Sequence, residues 1–358
     1  MELALALGRR GLGRTWPNPS VGAVVVKDGV ILGRGWTQPG GRPHAETEAL
    51  KRAGKAAKGA TLYVTLEPCS HQGRTPPCAD AIVRAGIARV VSATEDANPQ
   101  VAGQGHDKLR QGGVAVEIGL CAEEAARSHA GHIRRMRDGR PQVLLKLAVS
   151  SDGKAGLAGR KPAAITGEAA RARVHQMRAE SDAILVGIGT VLSDDPHLTC
   201  RLPGMLAWSP VRVILDTRLR LPLSTAVAGT AREVPTWVVA GPGASPVAED
   251  ILKARGIEVL RTGTTDGGRL DLRETLKALA ERGITRLMVE GGPTVAAAFV
   301  RAGLVDEAAL FRSPRPIGTD GIDALEGLPL AALTDSPALK MAASENIGPD
   351  RLDLFERS

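Results

Sequence analysis

The sequence predicts an α/β protein built as two domains, and three observations carry that prediction. At 358 residues the chain is longer than one hydrophobic core usually organises. Helix-period and strand-period segments alternate through both halves, the pattern of helices layered on a sheet. Asp138-Gly139-Arg140-Pro141 interrupts the alternation, so the first domain is expected at 1–141 and the second at 142–358.

In the first domain, residues 3–7 begin an amphipathic helix that ends in Gly8, Gly11 and Gly13. Thr15-Trp16-Pro17-Asn18-Pro19-Ser20-Val21-Gly22 then enters the apolar run Ala23-Val24-Val25-Val26. Lys27-Asp28-Gly29 turns the chain back through residues 30–33, since Asp-Gly between apolar runs is a strong hairpin signal. Asn18, fixed between two prolines, either presents its amide to a polar ring edge or sits in a rigid turn. His44 opens a helical run over 45–53 that stops at Gly54, with Glu48 and Arg52 as an i,i+4 pair. The β-branched content of 61–66 predicts a strand. Cys78 opens a helix to residue 85, 89–93 is a strand, and 96–105 form a loop. A helix over 106–111, a strand over 114–118 and one helix over 123–137 complete the domain, which implies three layers.

The second domain starts with a buried strand from residue 143 that leads into a glycine turn at Gly153. Residues 167–179 read as a helix carrying Arg171, Arg173 and Arg178. The apolar strand 182–190 runs into Gly187-Ile188-Gly189-Thr190, strands follow at 211–215, 236–240 and 257–261, and 270–282 is a helix. Residues 286–295 then give strand, Gly291-Gly292 and helix start, which offers bare backbone N–H groups to a pyrophosphate. This is not the Gly-x-Gly-x-x-Gly dinucleotide fingerprint, and alone it says only that a phosphorylated ligand fits.

Composition narrows the function classes. Aromatics are 2% of residues, so no stacking platform for single-stranded nucleic acid is evident. The net charge of +7 and pI of about 9.5 suit phosphorylated metabolites as well as nucleic acid. The apolar run at the N-terminus is too short for a signal or membrane segment. Four cysteines, with Cys121 and Cys200 far apart, give no disulfide framework, and a cytoplasmic protein is expected.

Chemistry concentrates between residues 44 and 78. His44-Ala45-Glu46 is followed by Glu67-Pro68-Cys69 and, with eight residues between, by Cys78. One imidazole and two thiols make three Zn2+ ligands and leave the fourth tetrahedral position to water, as catalytic zinc requires. Glu46 is the expected catalytic proton shuttle. A lone His-x-Glu carries nothing, but joined to Pro-Cys it marks the zinc-dependent base deaminases, in which activated water attacks an amidine carbon and a non-ligand Glu moves the protons. Helix starts at His44 and Cys78 favour thiolate and metal binding.

Thr15 through Gly22, His44-Ala45-Glu46, and Thr65-Leu66-Glu67-Pro68-Cys69 running to Thr75-Pro76-Pro77-Cys78 together resemble the bifunctional riboflavin-biosynthesis deaminase/reductases. The transfer RNA adenosine and cytidine deaminases have two residues between their cysteines, whereas the insert here carries His71 and Arg74. The resemblance implies a three-layer cytidine-deaminase-like domain in which Asn18, His71 and Arg74 contact a phosphoribosyl aminopyrimidine. It continues through Lys146 to Gly153, Arg178, Gly189 to Leu192, Asp194-Asp195-Pro196, Leu198 to Arg201, Asp216-Thr217 and Val289 to Thr294. That half is similar to dihydrofolate-reductase-like domains. There the resemblance implies that Ala148, Thr190, Asp194, Thr217 and Gly292 line NADPH, and that Lys146, Arg178, Leu198, Arg201 and Glu290 hold or orient the substrate. Thr37 stands where the family commonly has His, Thr47-Glu48 where it has Val-His or Val-Asn, and Pro162-Ala163-Ala164 where it has Ser, a variable residue and Trp.

The expected partners are a phosphorylated pyrimidine and further copies of the chain, a dimer first, with neither nucleic acid nor membrane. Two other readings compete. A nucleic-acid base deaminase with an appended binding domain is opposed by the long cysteine gap. A purely structural zinc protein would need a fourth protein ligand and would leave Glu46 without a purpose.

Overall fold

The computed structural model describes every residue except Arg74, Thr75, Gln100, Ala158 and residues 160–163. By its own contacts the chain divides into two compact units, Met1–Pro141 with Ala280–Thr285, and Gln142–Leu279 with Arg286–Ser358.

The first unit runs α1 (Glu2–Arg9), β1 (Gly22–Lys27), β2 (Val30–Trp36), α2 (Ala45–Ala53), β3 (Thr61–Val64), α3 (Cys78–Arg84), β4 (Arg89–Ser92), α4 (Gln104–Gln111), β5 (Ala115–Ile118), α5 (Ala122–Ser128) and α6 (Ala130–Asp138). The sheet order is β2-β1-β3-β4-β5, antiparallel on either side of β1 and parallel from β3 onward. Because strand side chains alternate, Ala23 and Val25 face the core that holds Ala45, Ala49, Ala79, Ile82 and Leu109 of α2, α3 and α4. Val24 faces Ala4 and Leu7 of α1 on the other side. Three layers result, as the alternation predicts. The hairpin turn at Asp28 and Gly29, both at positive φ, is as expected.

One expectation fails here. Residues 123–137 are not one helix, because α5 ends at Ser128 and α6 begins at Ala130. His129 between them is buried, and its Nε2 lies 3.1 Å from both the carbonyl and the hydroxyl of Thr65. A tertiary partner for one imidazole breaks a run whose local propensity is helical.

The second unit contains β6 (Gln142–Val149), β7 (Lys154–Gly156), α7 (Glu168–Ala179), β8 (Ala183–Gly187), α8 (Ile188–Asp194), β9 (Val211–Leu215), α9 (Ala226–Gly229), β10 (Thr236–Ala240), α10 (Pro246–Ala254), β11 (Glu258–Arg261), all but the last two residues of α11 (Leu272–Glu281), β12 (Arg286–Val289), α12 (Pro293–Arg301), β13 (Glu307–Arg312), β14 (Ile322–Asp323), α13 (Ala331–Thr334), β15 (Leu339–Ile347) and β16 (Asp350–Arg357). Nine strands form one sheet in the order β11-β10-β9-β8-β12-β6-β13-β16-β15, parallel as far as β13 and antiparallel beyond it. β7 and β14 make a separate two-stranded sheet. The strand read over 182–190 stops at Gly187, and Ile188 already opens a helix. No helix among the described residues is long and apolar enough to cross a membrane.

Candidate metal centre and ligand cavity

Three elements deliver the donors of the first unit. His44 is the N-cap residue of α2 and Cys78 the first residue of α3, while Cys69 sits in the loop after β3. Their ligand atoms all lie within 4.8 Å of one another. His44 Nδ1 is 3.3 Å from Cys78 Sγ and 3.6 Å from Cys69 Sγ, and the Cys78 backbone N–H donates to Cys69 Sγ at 3.3 Å. The Cys78 thiol donating to Cys69 is the largest influence on Cys69, and despite burial it brings that pKa down to about 4. The same hydrogen bond, with burial, pushes Cys78 well up. Two sulfurs and one imidazole suit zinc, a borderline-soft ion usually held by Cys and His.

Glu46 lies in the first turn of α2, 4% exposed. Burial raises its pKa above the ordinary carboxylate value. A buried carboxyl beside the donor cluster, outside its ligand set, is equipped to hold and release a proton. Asn18 stands next to His44, its Nδ2 donating to Gly41 O at 2.8 Å and lying 3.5 Å from His44 Nε2. Thr37 is buried, and its hydroxyl accepts from Val21 N–H at 3.0 Å. His71 is exposed in the loop between the cysteines, and Arg74 lies outside the described residues.

In the second unit a cavity of about 660 Å³ opens at the carboxyl ends of β6, β8 and β12, where ligands of parallel sheets commonly bind. Lys146, Ala148, Arg178, Thr190, Asp194, Leu198, Glu290 and Gly292 all line it. Thr217 and Arg201 are not among its lining residues; Arg201 is exposed, with its backbone N–H donating to His175 Nδ1 at 3.2 Å. Ala164, Ile165 and Thr166 also line the cavity, while Pro162 and Ala163 lie outside the described residues.

Arg178 on α7 and Glu290 just after β12 form a two-pronged ion pair, Nε to Oε1 at 2.6 Å and Nη2 to Oε2 at 2.9 Å. Arg178 Nη1 donates to Thr199 O at 3.0 Å, so each of its three guanidinium nitrogens has a protein partner. Lys146 Nζ stands 3.9 Å from Glu290 Oε2. Burial would raise Glu290, but Arg178 and Lys146 outweigh it and hold the carboxyl at about 2. Burial lowers Lys146. Gly292 N–H donates to Thr190 Oγ1 at 3.1 Å, tying the start of α12 to α8. Sequence reading named Arg178 and Glu290 separately and missed their union, because the partners are 112 positions apart and only the sheet order joins them.

The comparisons with known proteins cover both units. A family model described as the cytidine and deoxycytidylate deaminase zinc-binding region matches residues 1–94, and one described as the RibD C-terminal domain matches residues 141–352. The riboflavin biosynthesis protein RibD of Aquifex aeolicus is 43% identical over 357 residues, covering 100% of this chain and 97% of that protein. The protein of the same name from Escherichia coli is 43% identical, covering 98% and 96%. Among solved structures, Acinetobacter baumannii RibD (form 1) matches with a TM-score of 0.88 at 36% identity over 100% of this chain and 97% of that one. A diaminohydroxyphosphoribosylaminopyrimidine deaminase/5-amino-6-(5-phosphoribosylamino)uracil reductase from Thermotoga maritima matches with a TM-score of 0.85 at 37% identity, covering the same shares.

Proposed function

Because the chain belongs to the RibD family of bifunctional riboflavin-biosynthesis enzymes, we propose that its two units perform two successive steps on one phosphorylated pyrimidine. The first unit deaminates 2,5-diamino-6-(5-phosphoribosylamino)pyrimidin-4(3H)-one to 5-amino-6-(5-phosphoribosylamino)uracil. The second reduces the ribosyl group of that product to ribityl with NADPH. The observation that carries the reading is the convergence of His44 Nδ1 and the two sulfurs beside buried Glu46.

His44, Cys69 and Cys78 would hold the zinc ion, which when bound supplies the Lewis acidity that makes water nucleophilic at neutral pH. Glu46 takes a proton from the attacking water and returns it to the departing amine, so that ammonia leaves. Its burial and raised pKa suit a group that must carry a proton in mid-reaction. Asn18, His71 and Arg74 are assigned to the pyrimidine nucleotide, and the position of Asn18 beside His44 supports its share in that role.

In the second unit Ala148, Thr190, Asp194 and Gly292 are assigned to the cofactor and Lys146, Leu198 and Glu290 to the ribosyl end of the substrate, all of them lining one cavity. Hydride transfer asks mainly for alignment of donor and acceptor carbon. The Arg178–Glu290 pair fixes the carboxylate, and Glu290 in turn orients Lys146, whose lowered pKa suits proton donation to the opening sugar. Arg201 and Thr217 remain assigned to substrate and cofactor, although they lie off the cavity lining.

The test is a coupled assay on the purified chain with the diaminopyrimidine nucleotide. Ammonia release followed by equimolar NADPH loss is expected, and chelation should stop the first step while leaving reduction of supplied deaminated product. Ammonia release without any NADPH consumption would remove the second assignment. No ammonia from zinc-loaded protein would remove the first.

A further inference from the structure

Two residues before Cys69, the carboxylate of Glu67 is 2% exposed, and although the ring Nδ1 of His106 stands 3.8 Å from its Oε2, among the described residues no arginine or lysine pairs with it. Backbone amides surround it instead. Oε2 accepts from Asp96 N–H at 3.1 Å and Gly103 N–H at 3.0 Å, and Oε1 accepts from Gly105 N–H at 2.7 Å and His106 N–H at 3.3 Å. Gly105 and His106 belong to the first turn of α4, whose unpaired N–H groups and positive dipole end favour a carboxylate. One side chain therefore holds both ends of the 96–106 segment. The approach is close, since a Cβ at Gly105 would stand 2.0 Å from Pro68 O.

The same turn is fastened on its other side to α3. Ala79 N–H donates to Cys69 O at 3.2 Å and Cys78 N–H to Cys69 Sγ at 3.3 Å. Lys108 on α4 pairs with Asp80 on α3 at 2.7 Å, locking the two helices together. Cys69 thus sits on a bracket with one end on α3 and the other on Glu67. Without the Glu67 carboxylate the turn would keep α3, the Glu67 N–H bond to Thr94 O at 3.0 Å and the Lys108 Nζ bond to Ser70 O at 3.5 Å, but it would lose its four-amide anchor on the 96–106 segment.

We infer that Glu67 is a positioning residue for the metal centre: by accepting from four backbone N–H groups it fixes the Pro68-Cys69 turn and sets where the Cys69 sulfur meets His44 and Cys78. It touches neither substrate nor reacting atoms. The inference rests on the assignment of His44, Cys69 and Cys78 as the metal ligands. Carboxylates that orient ligands from behind usually govern metal affinity by about 10-fold to 100-fold.

The experiment compares full-length wild type with Glu67→Gln, each loaded with Co2+ as a spectroscopic probe and, separately, with Zn2+. Glutamine keeps the shape but turns one acceptor oxygen into a donor, so two of the four N–H groups face an N–H. The expected results are a shifted cobalt d–d spectrum, zinc release to a chelator faster by about 10-fold or more, and a fall in kcat for ammonia release with KM within about 2-fold. NADPH oxidation with supplied deaminated product should stay at the wild-type rate and report that the second unit is folded, while wild-type protease resistance of residues 1–141 reports the same of the first. Glu67→Asp, which keeps the charge and all acceptors on a shorter arm, should recover part of the spectrum and retention, and it replaces the Gln variant in every comparison if that variant does not fold. A folded variant with the wild-type cobalt spectrum and zinc release overturns the inference. Wild type that shows no cobalt–thiolate absorption overturns the ligand assignment itself, and the role of Glu67 with it.

Discussion

Replacing Gly35 with alanine should cripple deamination without touching any group that takes part in it. α2 carries His44 at its cap and Glu46 in its first turn, and it lies directly on β2. A Cβ at Gly35 would fall 2.2 Å from Ala45 O and 2.6 Å from Ala49 N, whereas ordinary contact begins at 3.4 Å. The start of α2 must therefore retreat by about 1.2 Å, the difference between those two distances to Ala45 O. Overpacking of this kind costs roughly 1–3 kcal/mol of stability. A catalytic group misplaced by about 1 Å can cost on the order of 100-fold in rate. Gly33→Ala supplies the internal comparison, because its Cβ would meet Ala49 O at 2.1 Å, one turn further from His44. Both variants should lose similar thermal stability, but Gly35→Ala should lose far more ammonia-release kcat, and both should still reduce supplied deaminated product. Equal kcat losses in the two variants, or wild-type kcat in Gly35→Ala, would refute the claim that the first turn of α2 sets the catalytic geometry.

Two other outcomes are expected. Glu46→Gln should retain one zinc per chain by metal analysis yet lose about 100-fold to 10,000-fold in ammonia release, the usual worth of a positioned acid–base group; retained activity would remove Glu46 from that role. Glu290, whose folded pKa of about 2 is depressed below the carboxylate norm, contributes stability that is present above about pH 4.5 and lost as the pH falls toward 2. Glu290→Gln should therefore lower the denaturation midpoint at pH 7 and flatten its fall between pH 4.5 and 2, and an unchanged acid slope would contradict the pairing with Arg178.

Much of the metal centre was legible in the sequence because its donors are chemically rare and two of them, His44 and Cys78, sit where a helix begins, a signal that needs no tertiary knowledge. The Asp28-Gly29 hairpin and the Glu48–Arg52 pair, observed at 3.4 Å, were legible for the same local reason. What the sequence hid depends on distant partners. His129 breaks a helical run because Thr65 is there to meet its ring. Arg178 finds Glu290, and Glu67 finds the 96–106 segment, only after the sheets assemble. β15 escaped notice because it is an edge strand exposed along nearly its whole length, with no apolar alternation to announce it. Thr37 shows a departure from a family pattern taking structural work, since its hydroxyl satisfies the N–H of Val21.

The central claim is that two sulfurs and one imidazole hold a zinc ion whose remaining position belongs to solvent, with Glu46 outside the coordination shell. X-ray absorption at the zinc edge of the purified, zinc-loaded chain tests it most directly. The account predicts two sulfur scatterers at about 2.3 Å and two light scatterers at about 2.0 Å, only one of them showing the outer-shell pattern of imidazole. A shell of four protein donors, or one that changes when Glu46 is replaced by glutamine, would contradict it.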